Sequence, residues 1–325
     1  MQNEEKRELL EKFELVKKRK IGIHEKPLAI IYNPASGKKT NLRPLITKRL
    51  DNEKIPYEFL ETQKAFDTFR YARDLDMDKY SVLCATGGDG TYHEVINGML
   101  SRKDGRKIPI ALLPNGSGND LCNALGIWSL DHALDYICKG EAIPLDSCRV
   151  LCDHESEDTL PDDENRYQVC RHFDVNCGVA LTAKVTHGAI PYKSCCGKRS
   201  YEIATLVQKC KGNFIPENFG VEIDGQKVEG YSDPNTILMM FTNGKYTGAG
   251  MVINPFSCMN DGLVDVTWIN DPRIMKLLGV ATMLDEAKKG QGTQAYKGQN
   301  VYMRGRKIKV TFNGRQGDKE DKVYG

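Results

Sequence analysis

The first half of the chain repeats one pattern four times: a short apolar run, a loop, and a stretch with helical spacing. The apolar runs lie at residues 28–32, 57–60, 81–86 and 108–113, and the helical stretches at 42–50, 65–75, 92–100 and from 121 onwards. Strands that alternate with helices are typical of a parallel sheet covered by helices. The pattern therefore predicts a parallel α/β domain over residues 27–142.

The remaining sequence is richer in β-type runs and poorer in helical ones. The runs lie at residues 143–150, 167–175, 219–223, 236–242, 263–269 and 308–312, and two helical patches lie at 198–212 and 273–289. Short apolar strands without helices between them indicate antiparallel pairing. We expect an antiparallel β-sandwich domain over residues 143–325. At the other end, residues 1–26 are expected to carry an amphipathic helix, over residues 2–20.

Composition narrows the class of protein. A chain of 325 residues is long enough for two domains. Its net charge of +2 argues against a protein held on nucleic acid by a positive field. No apolar run reaches the ~20 residues that span a bilayer, and the first residues lack the apolar region of a secretory signal. We therefore expect a cytoplasmic protein, in which the 11 cysteines are reduced. The cysteines have no C-x-x-C spacing, so a zinc site is not expected.

Three of the four loops in the first half contain glycine at the end of a predicted strand. They are residues 33–40 (Asn-Pro-Ala-Ser-Gly-Lys-Lys-Thr), 87–91 (Gly-Gly-Asp-Gly-Thr) and 114–120 (Pro-Asn-Gly-Ser-Gly-Asn-Asp). Glycine lets a backbone approach a phosphate closely, and a following helix N-terminus offers free N–H groups. None of the loops has the P-loop or the G-x-G-x-x-G spacing. They predict a nucleotide-phosphate site of another kind at this edge of the sheet.

These blocks resemble the signature sequences of the diacylglycerol kinase-type lipid kinases, the superfamily of diacylglycerol, sphingosine and ceramide kinases. The similar segments are residues 33–37, 87–91 with 93–98, 113–120, and 243–251 with 260–265. They occur in the family's order over about residues 28–270. The resemblance implies an α/β nucleotide domain and a β-sandwich, with the active site in the cleft between them. It also implies transfer of the γ-phosphoryl group of ATP, with Mg²⁺, to a lipid hydroxyl group.

The resemblance also assigns residues to the nucleotide site. Asp89 is the expected catalytic residue, either as general base or through Mg²⁺, and a turn-capping aspartate is the structural alternative. On this assignment Asp89→Ala abolishes phosphorylation and barely changes thermal unfolding. The expected nucleotide-binding residues are Asn33, Pro34, Ser36, Gly37, Lys38, Thr62, Gly87, Gly88, Asp89, Gly90, Thr91, Glu94, Gly116, Ser117, Gly118, Asn119 and Asp120.

Some bacterial relatives bind a structural Mg²⁺ in the β domain through one Asp side chain and two backbone carbonyls. The matching positions here are Cys258, Asp261 and Leu263. Carboxylate and carbonyl oxygens suit this hard cation. A hairpin turn at residues 260–262 explains the same sequence without metal, and both interpretations stay open.

The chain departs from the family's pattern in one motif. The family carries a catalytic acid in an Asp-Gly-Glu sequence shortly after the run matched by residues 307–312, and this sequence contains none. Either the sequence stops before the motif or the motif is lost. Glu320 or Asp321 would lie early for a substitute. A non-catalytic nucleotide- or lipid-binding relative is therefore the second hypothesis, and a kinase acting on NAD, which shares residues 87–91, is a third.

The acceptor lipid depends on one position. Sphingosine kinases carry an Asp in the strand after a glycine of the second domain, where it pairs with the sphingoid amine, and the aligned residue here is Thr182, with Lys184 nearby. Neither residue supplies a negative charge that could stabilise the cationic amine of a sphingoid base. The sequence therefore favours a neutral acceptor such as diacylglycerol or ceramide. The expected partner is thus a lipid at a membrane surface, reached by peripheral association. The sequence does not decide whether the protein forms a homodimer.

Overall fold

The computed structural model describes residues 17–34, 41–152, 169–212, 219–228, 238–248, 250–269 and 300–312. The chain divides into two compact units, Met1–Phe173 and Asp174–Gly325. All eleven cysteines are free.

The first unit alternates strands and helices. Its elements are β1 (Arg19–Lys20), β2 (Leu28–Tyr32), α1 (Arg43–Asn52), β3 (Tyr57–Glu61), α2 (Asp67–Arg73), β4 (Val82–Gly87), α3 (Asp89–Leu100), β5 (Ile110–Pro114), α4 (Asp120–Ala124), α5 (Leu130–Lys139), β6 (Glu141–Ala142), β7 (Cys148–Leu151) and β8 (Cys170–Phe173).

A four-stranded parallel sheet in the order β3-β2-β4-β5 forms the centre of this unit. Strands β2 and β4 are buried along their whole length, as expected for central parallel strands that helices cover on both faces. Ile30, Ile46, Leu50, Leu113 and Leu134 form one apolar cluster with their neighbours. The predicted parallel α/β fold is confirmed.

Helix α5 shows how the local sequence sets an element's ends. The Ser129 hydroxyl accepts a hydrogen bond from the His132 backbone N–H at 3.1 Å, which satisfies a free donor at the N-terminus. Gly140 ends the helix at φ +59°, a left-handed conformation that favours glycine. Between these ends, Ala133, Leu134 and Ile137 are buried against the sheet.

The boundary between the units lies at residues 173 and 174, about thirty residues after the predicted boundary at 142 and 143. The difference arises because β7 and β8 pair as an antiparallel hairpin and β8 contacts α3. The hairpin therefore belongs to the α/β unit, although its own sequence is β-type. Its strands lie within or close to the predicted runs 143–150 and 167–175.

The predicted helix over residues 2–20 is wrong at its end. Arg19 and Lys20 form β1, which pairs antiparallel with β6 through Ala142 and Glu141. The Lys20 ammonium also donates to the Glu141 carboxylate at 2.7 Å. Pairing with β6 thus replaces the predicted helical end, and residues 1–16 lie outside the described residues.

The second unit is mainly antiparallel. Its elements are β9 (Asn176–Ala180), α6 (Leu181–Ala189), α7 (Lys193–Cys196), α8 (Ser200–Cys210), β10 (Phe219–Ile223), β11 (Gln226–Lys227), β12 (Leu238–Thr242), β13 (Tyr246–Thr247), β14 (Met251–Val252), β15 (Val264–Ile269), β16 (Asn300–Gly305) and β17 (Ile308–Phe312). Short 3-10 turns at Ile190–Tyr192 and Gly197–Arg199 flank α7.

Two sheets, in the orders β16-β15-β12-β9 and β11-β10-β17, supply this unit's core. Ala180, Met239 and Trp268 of the first sheet are buried in one cluster with Phe219 and Val221 of the second. Side chains from two sheets in one core indicate face-to-face packing, so the predicted antiparallel β unit is confirmed.

The helices of the second unit are only partly as predicted. Helix α8 lies within the predicted patch 198–212, and the patch 273–289 lies outside the described residues. Helix α6 has no counterpart in the sequence-based prediction. Among the helices that the structure describes, none combines the length and apolar character that a bilayer crossing requires.

Candidate functional site

The loops after β4 and β5, and the described start of the loop after β2, lie at one edge of the parallel sheet. The strands end in register, with Tyr32 beside Glu61 and Thr86, and Gly87 beside Pro114. Thr62, directly after β3, donates its backbone N–H to the Tyr32 carbonyl at 3.0 Å. Asn33 and Pro34 after β2, Thr62 after β3 and the predicted residues after β4 and β5 therefore share the carboxyl edge, where open α/β sheets bind ligands.

The second and third glycine loops touch through bare backbone. A Cβ placed on Gly116 would lie 2.5 Å from the Gly88 Cα atom, and one placed on Gly88 would lie 2.9 Å from the Gly116 Cα atom. Such distances exclude any side chain at either position without a backbone shift. The two glycines are thus required for loop-to-loop packing, a role that the sequence analysis did not separate from phosphate binding.

Asn119 fixes the third loop through its side-chain amide. The amide oxygen accepts the Gly116 N–H at 2.9 Å, and the amide nitrogen donates to the Gly116 carbonyl at 3.0 Å. Asn119 itself has φ +55°, and asparagine tolerates this left-handed conformation better than most residues. Asn119, predicted as a nucleotide contact, is therefore also what shapes its loop.

Tyr92 connects the loop after β4 to helix α4, a role that the sequence did not predict. Its buried hydroxyl donates to the Gly87 carbonyl at 2.9 Å and accepts the Cys122 thiol at 3.4 Å. The Gly87 carbonyl also accepts the Asn115 N–H at 2.7 Å. The only signal in the sequence was a polar aromatic residue directly after the Gly-Gly-Asp-Gly-Thr turn, at a position with helical spacing.

Asp89, the predicted catalytic residue, occupies the first position of α3 and reaches the start of α4. Its carboxylate accepts the Leu121 N–H at 3.1 Å, and it also accepts hydrogen bonds from the backbone N–H groups of Asn119 and Asp120. Burial raises the pKa of Asp89, and these N–H groups oppose the rise. Asp89 therefore caps the neighbouring helix, and because its own backbone N–H also acts on the carboxylate, the predicted turn-capping alternative stays open beside the catalytic one.

Around Asp89 the predicted residues differ in exposure. Gly90 and Ser117 are exposed, whereas Thr91 and Asp120 are buried. Thr91 lies against Gly87, where any Cβ would collide with its side chain. The pKa of Glu94, one turn along α3, is raised mainly by burial.

The other predicted residues lie beside the ends of the strands or outside the described residues. Asn33 and Pro34 follow β2 directly, and Gly118 accepts a hydrogen bond from Asn123 at 3.2 Å. Ser36, Gly37 and Lys38 lie outside the described residues.

The motif at residues 93–98 ties α3 to the β7–β8 hairpin. The Asn97 side chain donates to the His172 carbonyl at 2.9 Å and accepts the His172 N–H at 2.8 Å. Gly98 lets α2 approach, because a Cβ there would collide with the Phe69 carbonyl. Burial and Arg171 lower the pKa of His93, which favours its neutral form. This part of the motif is structural.

The predicted side-chain ligand for Mg²⁺ in the second unit, Asp261, already has two hydrogen-bond partners in this arrangement. The Asp261 carboxylate accepts the Leu263 N–H at 3.1 Å through one oxygen and the Arg304 guanidinium at 2.6 Å through the other. Both hydrogen bonds satisfy the carboxylate, and the guanidinium already neutralises its charge. Gly262 follows at φ +72°, as in a tight turn. The geometry at residues 260–262 favours the turn interpretation.

Arg304 also links this turn to a buried carboxylate. Its Nε atom donates to Asp265 at 2.9 Å, and the Tyr302 hydroxyl donates to the same oxygen at 2.5 Å. Burial first, and then Asp265, raise the pKa of Tyr302. Asp265 lies in the segment that carried the second-domain resemblance, and in this structure it organises the turn through Arg304.

Comparison with protein families also divides the chain into two parts. Residues 27–150 match the diacylglycerol kinase catalytic domain. Residues 175–322 match the YegS C-terminal NAD kinase beta sandwich-like domain. The second match begins one residue after the start of the second structural unit.

Similar proteins carry lipid kinase names. Diacylglycerol kinase of Bacillus subtilis is 26% identical over 300 residues, which cover 91% of this chain and 89% of that protein. Probable lipid kinase YegS of Salmonella gallinarum is 28% identical over 238 residues, or 73% of this chain and 72% of the relative. Sphingosine kinase B of Dictyostelium discoideum is 34% identical over 128 residues, and this match spans 38% of the chain but only 17% of that protein.

A solved structure shares the fold. The crystal structure of a putative diacylglycerol kinase from Bacillus anthracis superposes with a TM-score of 0.65 at 22% identity, covering 89% of this chain and 87% of that one.

Proposed function

The chain belongs to the lipid kinase family that shares the diacylglycerol kinase catalytic domain, and on this premise we propose that it transfers the γ-phosphoryl group of ATP to the hydroxyl group of diacylglycerol, giving phosphatidic acid. The reaction would take place at a membrane surface, where the acceptor lipid resides. Phosphoryl transfer depends mainly on positioning and on neutralising charge. Backbone N–H groups and few carboxylates, as found at the sheet edge, are chemically sufficient.

One observation carries the nucleotide part of the proposal: bare backbone and open space at Gly90. This glycine lies in the first turn of α3, whose N-cap residue, Gly88, has no side chain to cap the helix. A Cβ at Gly90 would meet nothing within 4 Å. Unlike Gly88 and Gly116, Gly90 is therefore not required by packing among the described residues. Free N–H groups at a helix N-terminus beside open space suit a phosphate.

The described carboxylates supply the remaining chemistry. Asp89 and Asp120 begin the helices that follow the two glycine loops, and their oxygens are of the kind that Mg²⁺ prefers. Bound with ATP, Mg²⁺ would neutralise phosphate charge. We assign Asp89 the task of accepting the proton of the lipid hydroxyl or orienting the ion. Its raised pKa brings the carboxylate closer to the range that suits a general base.

The choice of diacylglycerol rests on two points. The Bacillus subtilis relative named diacylglycerol kinase aligns over 89% of its length. Thr182 and Lys184, aligned with the sphingosine-kinase aspartate, provide no anion for a sphingoid amine. They lie in α6 rather than on the predicted strand. A sphingoid-base or ceramide kinase is the second candidate, since the Dictyostelium relative is a sphingosine kinase.

The test combines a substrate panel with a glycine variant. Labelled ATP is offered with vesicles or micelles of diacylglycerol, ceramide, sphingosine or monoacylglycerol, and we expect label on diacylglycerol. Gly90→Ala should leave the free energy of unfolding unchanged or raise it by up to about 1 kcal/mol, because alanine favours helix. The same variant should bind ATP at least tenfold more weakly.

Each outcome addresses a separate part of the proposal. Label on another lipid would replace the acceptor and keep the kinase. Nucleotide binding without transfer to any lipid would support a non-catalytic relative. In a separate reaction that offers NAD as the acceptor, label on NAD would support the third hypothesis. Full ATP affinity in Gly90→Ala would overturn the assignment of the phosphate site.

A further inference from the structure

Two adjacent cysteines in the second unit hold their sulfur atoms in contact. The Sγ atoms of Cys195 and Cys196 lie 3.1 Å apart in α7, and Cys195 is exposed to solvent. The Cys195 thiol also contacts the Tyr192 carbonyl at 3.4 Å. We propose that this pair is a site of reversible oxidation, at which a peroxide closes a disulfide between neighbouring residues. The proposal is independent of the kinase function.

The two sulfurs have different tasks in this reaction. Cys195 is exposed and Cys196 is half-buried, so Cys195 is the sulfur that meets the oxidant. The hydrogen bond to Cys195 also raises the pKa of Cys196. The Cys195 thiolate attacks one peroxide oxygen and becomes a sulfenic acid, with release of water or an alcohol. The Cys196 sulfur then attacks the sulfenic sulfur and expels water. In total, two thiols lose two electrons and two protons, and the peroxide is reduced.

The backbone makes the resulting disulfide easy to reverse. Adjacent Cα atoms are about 3.8 Å apart, whereas disulfides usually join Cα atoms at about 4.4–6.8 Å. A bond between neighbours is therefore strained, and strained, exposed disulfides are the readily reduced ones. The segment can accommodate the strain, because α7 has only four residues and lies between two 3-10 turns, with Gly197 at φ +51°.

Other cysteines provide internal comparisons. Cys84 and Cys122 are buried, and burial raises the pKa of each thiol to about 12, so they are poor nucleophiles. Cys210, at the end of α8, is exposed like Cys195, but no second thiol contacts it in the described part of the chain. Cys210 is therefore the matched control for a single exposed thiol.

The sequence offers a direct readout. Trypsin cleaves after Lys193 and Lys198, and residues 194–198 (Ser-Cys-Cys-Gly-Lys) contain both cysteines and no other. The folded protein is treated with increasing hydrogen peroxide, blocked with iodoacetamide and digested. We expect complete loss of the doubly alkylated peptide, which is replaced by an unalkylated peptide lighter than the dithiol by two hydrogen atoms. Dithiothreitol added before blocking should restore the doubly alkylated form.

Single variants separate pairing from general oxidation. Cys195→Ser and Cys196→Ser should each lose the unalkylated product, whereas Cys210→Ser should behave as the unchanged protein. Phenylarsine oxide, which binds two neighbouring thiols and releases water, should protect the peptide from alkylation in the unchanged protein and in neither single variant. The proposal is overturned if both cysteines stay alkylatable while Cys210 oxidises, or if they proceed to sulfinic acids without a disulfide.

Discussion

The Asp89 carboxylate accepts the backbone N–H of Leu121 at 3.1 Å, so the first residue of α3 caps the first turn of α4. This contact joins the loops after β4 and β5, the same two loops that meet at Gly88 and Gly116. The residue proposed for chemistry is thus part of the framework that positions it. The effects of a substitution at Asp89 on the free energy of unfolding and on turnover must therefore be measured separately.

The expectation that Asp89→Ala barely alters unfolding needs correction in light of this cap. Alanine leaves N–H groups at the start of α4 without their acceptor, and loss of a capping side chain costs about 1 kcal/mol. Asp89→Asn keeps an acceptor oxygen and should preserve the free energy of unfolding. Both variants should lose lipid phosphorylation. Urea unfolding and labelled ATP measure the two quantities, and an active Asp89→Asn enzyme would remove Asp89 from the chemistry.

Gly116→Ala should disrupt the contact between the glycine loops. The new Cβ would lie 2.5 Å from the Gly88 Cα atom and 2.6 Å from the Asn119 amide oxygen. Overpacking of this kind typically costs about 1–3 kcal/mol, and we expect that loss in denaturant unfolding together with weaker ATP binding. Gly90→Ala is the matched control for the unfolding measurement alone, because its Cβ meets no neighbour. Equal stability of the two variants would contradict the packing role of Gly116.

Asn97→Leu should detach the β7–β8 hairpin from α3. The His172 N–H and carbonyl groups would both lose their side-chain partner. An unsatisfied buried polar group costs about 1–3 kcal/mol, so we expect a loss of about 2 kcal/mol or more. Hydrogen exchange at the His172 amide should accelerate. Ser101→Ala, at the C-cap of the same helix, removes one hydrogen bond to Gly98 and is the control. Unchanged exchange in Asn97→Leu would show that other contacts hold the hairpin.

The central sheet was predictable because its two central strands, β2 and β4, are buried on both faces. Such strands are short apolar runs closed by glycine turns, and the run at residues 28–32 coincides with β2. The hairpin and α6 were not assigned correctly, for a different reason. A β-type run carries no information about which unit it packs on, and Asn97 in α3 provides the contacts that place β8. Long-range polar contacts of this kind leave no periodic pattern.

The candidate site was predicted as a set of residues but not as an arrangement. Glycine content marked loops that follow strands of the sheet, yet it could not distinguish Gly116, which is needed for packing, from Gly90, which faces open space. Likewise, an aspartate in a turn predicts capping or chemistry equally well. Asp261 shows the same limit, because Arg304, which neutralises it, lies 43 residues further along the chain.

Stability should decrease in mild acid because of a histidine on β8. Burial, followed by Arg149, Lys107 and His93, lowers the pKa of His172 to about 4, below the value of about 6.5 for an unfolded chain. Between these values the unfolded state binds a proton that the folded state does not. The contribution of His172 is therefore complete above about pH 6.5 and is lost as the pH falls towards 4, with a slope of up to about 1.4 kcal/mol per pH unit.

His172→Asn isolates this contribution. The variant keeps the backbone groups that bind Asn97 and removes the titrating ring, so its free energy of unfolding should vary less with pH between about 4 and 6.5. Urea titrations at several pH values in that window measure the difference between the two proteins. Because carboxylates titrate identically in both, the difference reports the imidazole. Parallel curves would mean that His172 is accessible to protons in the folded state, contrary to its burial beside Arg149 and Lys107.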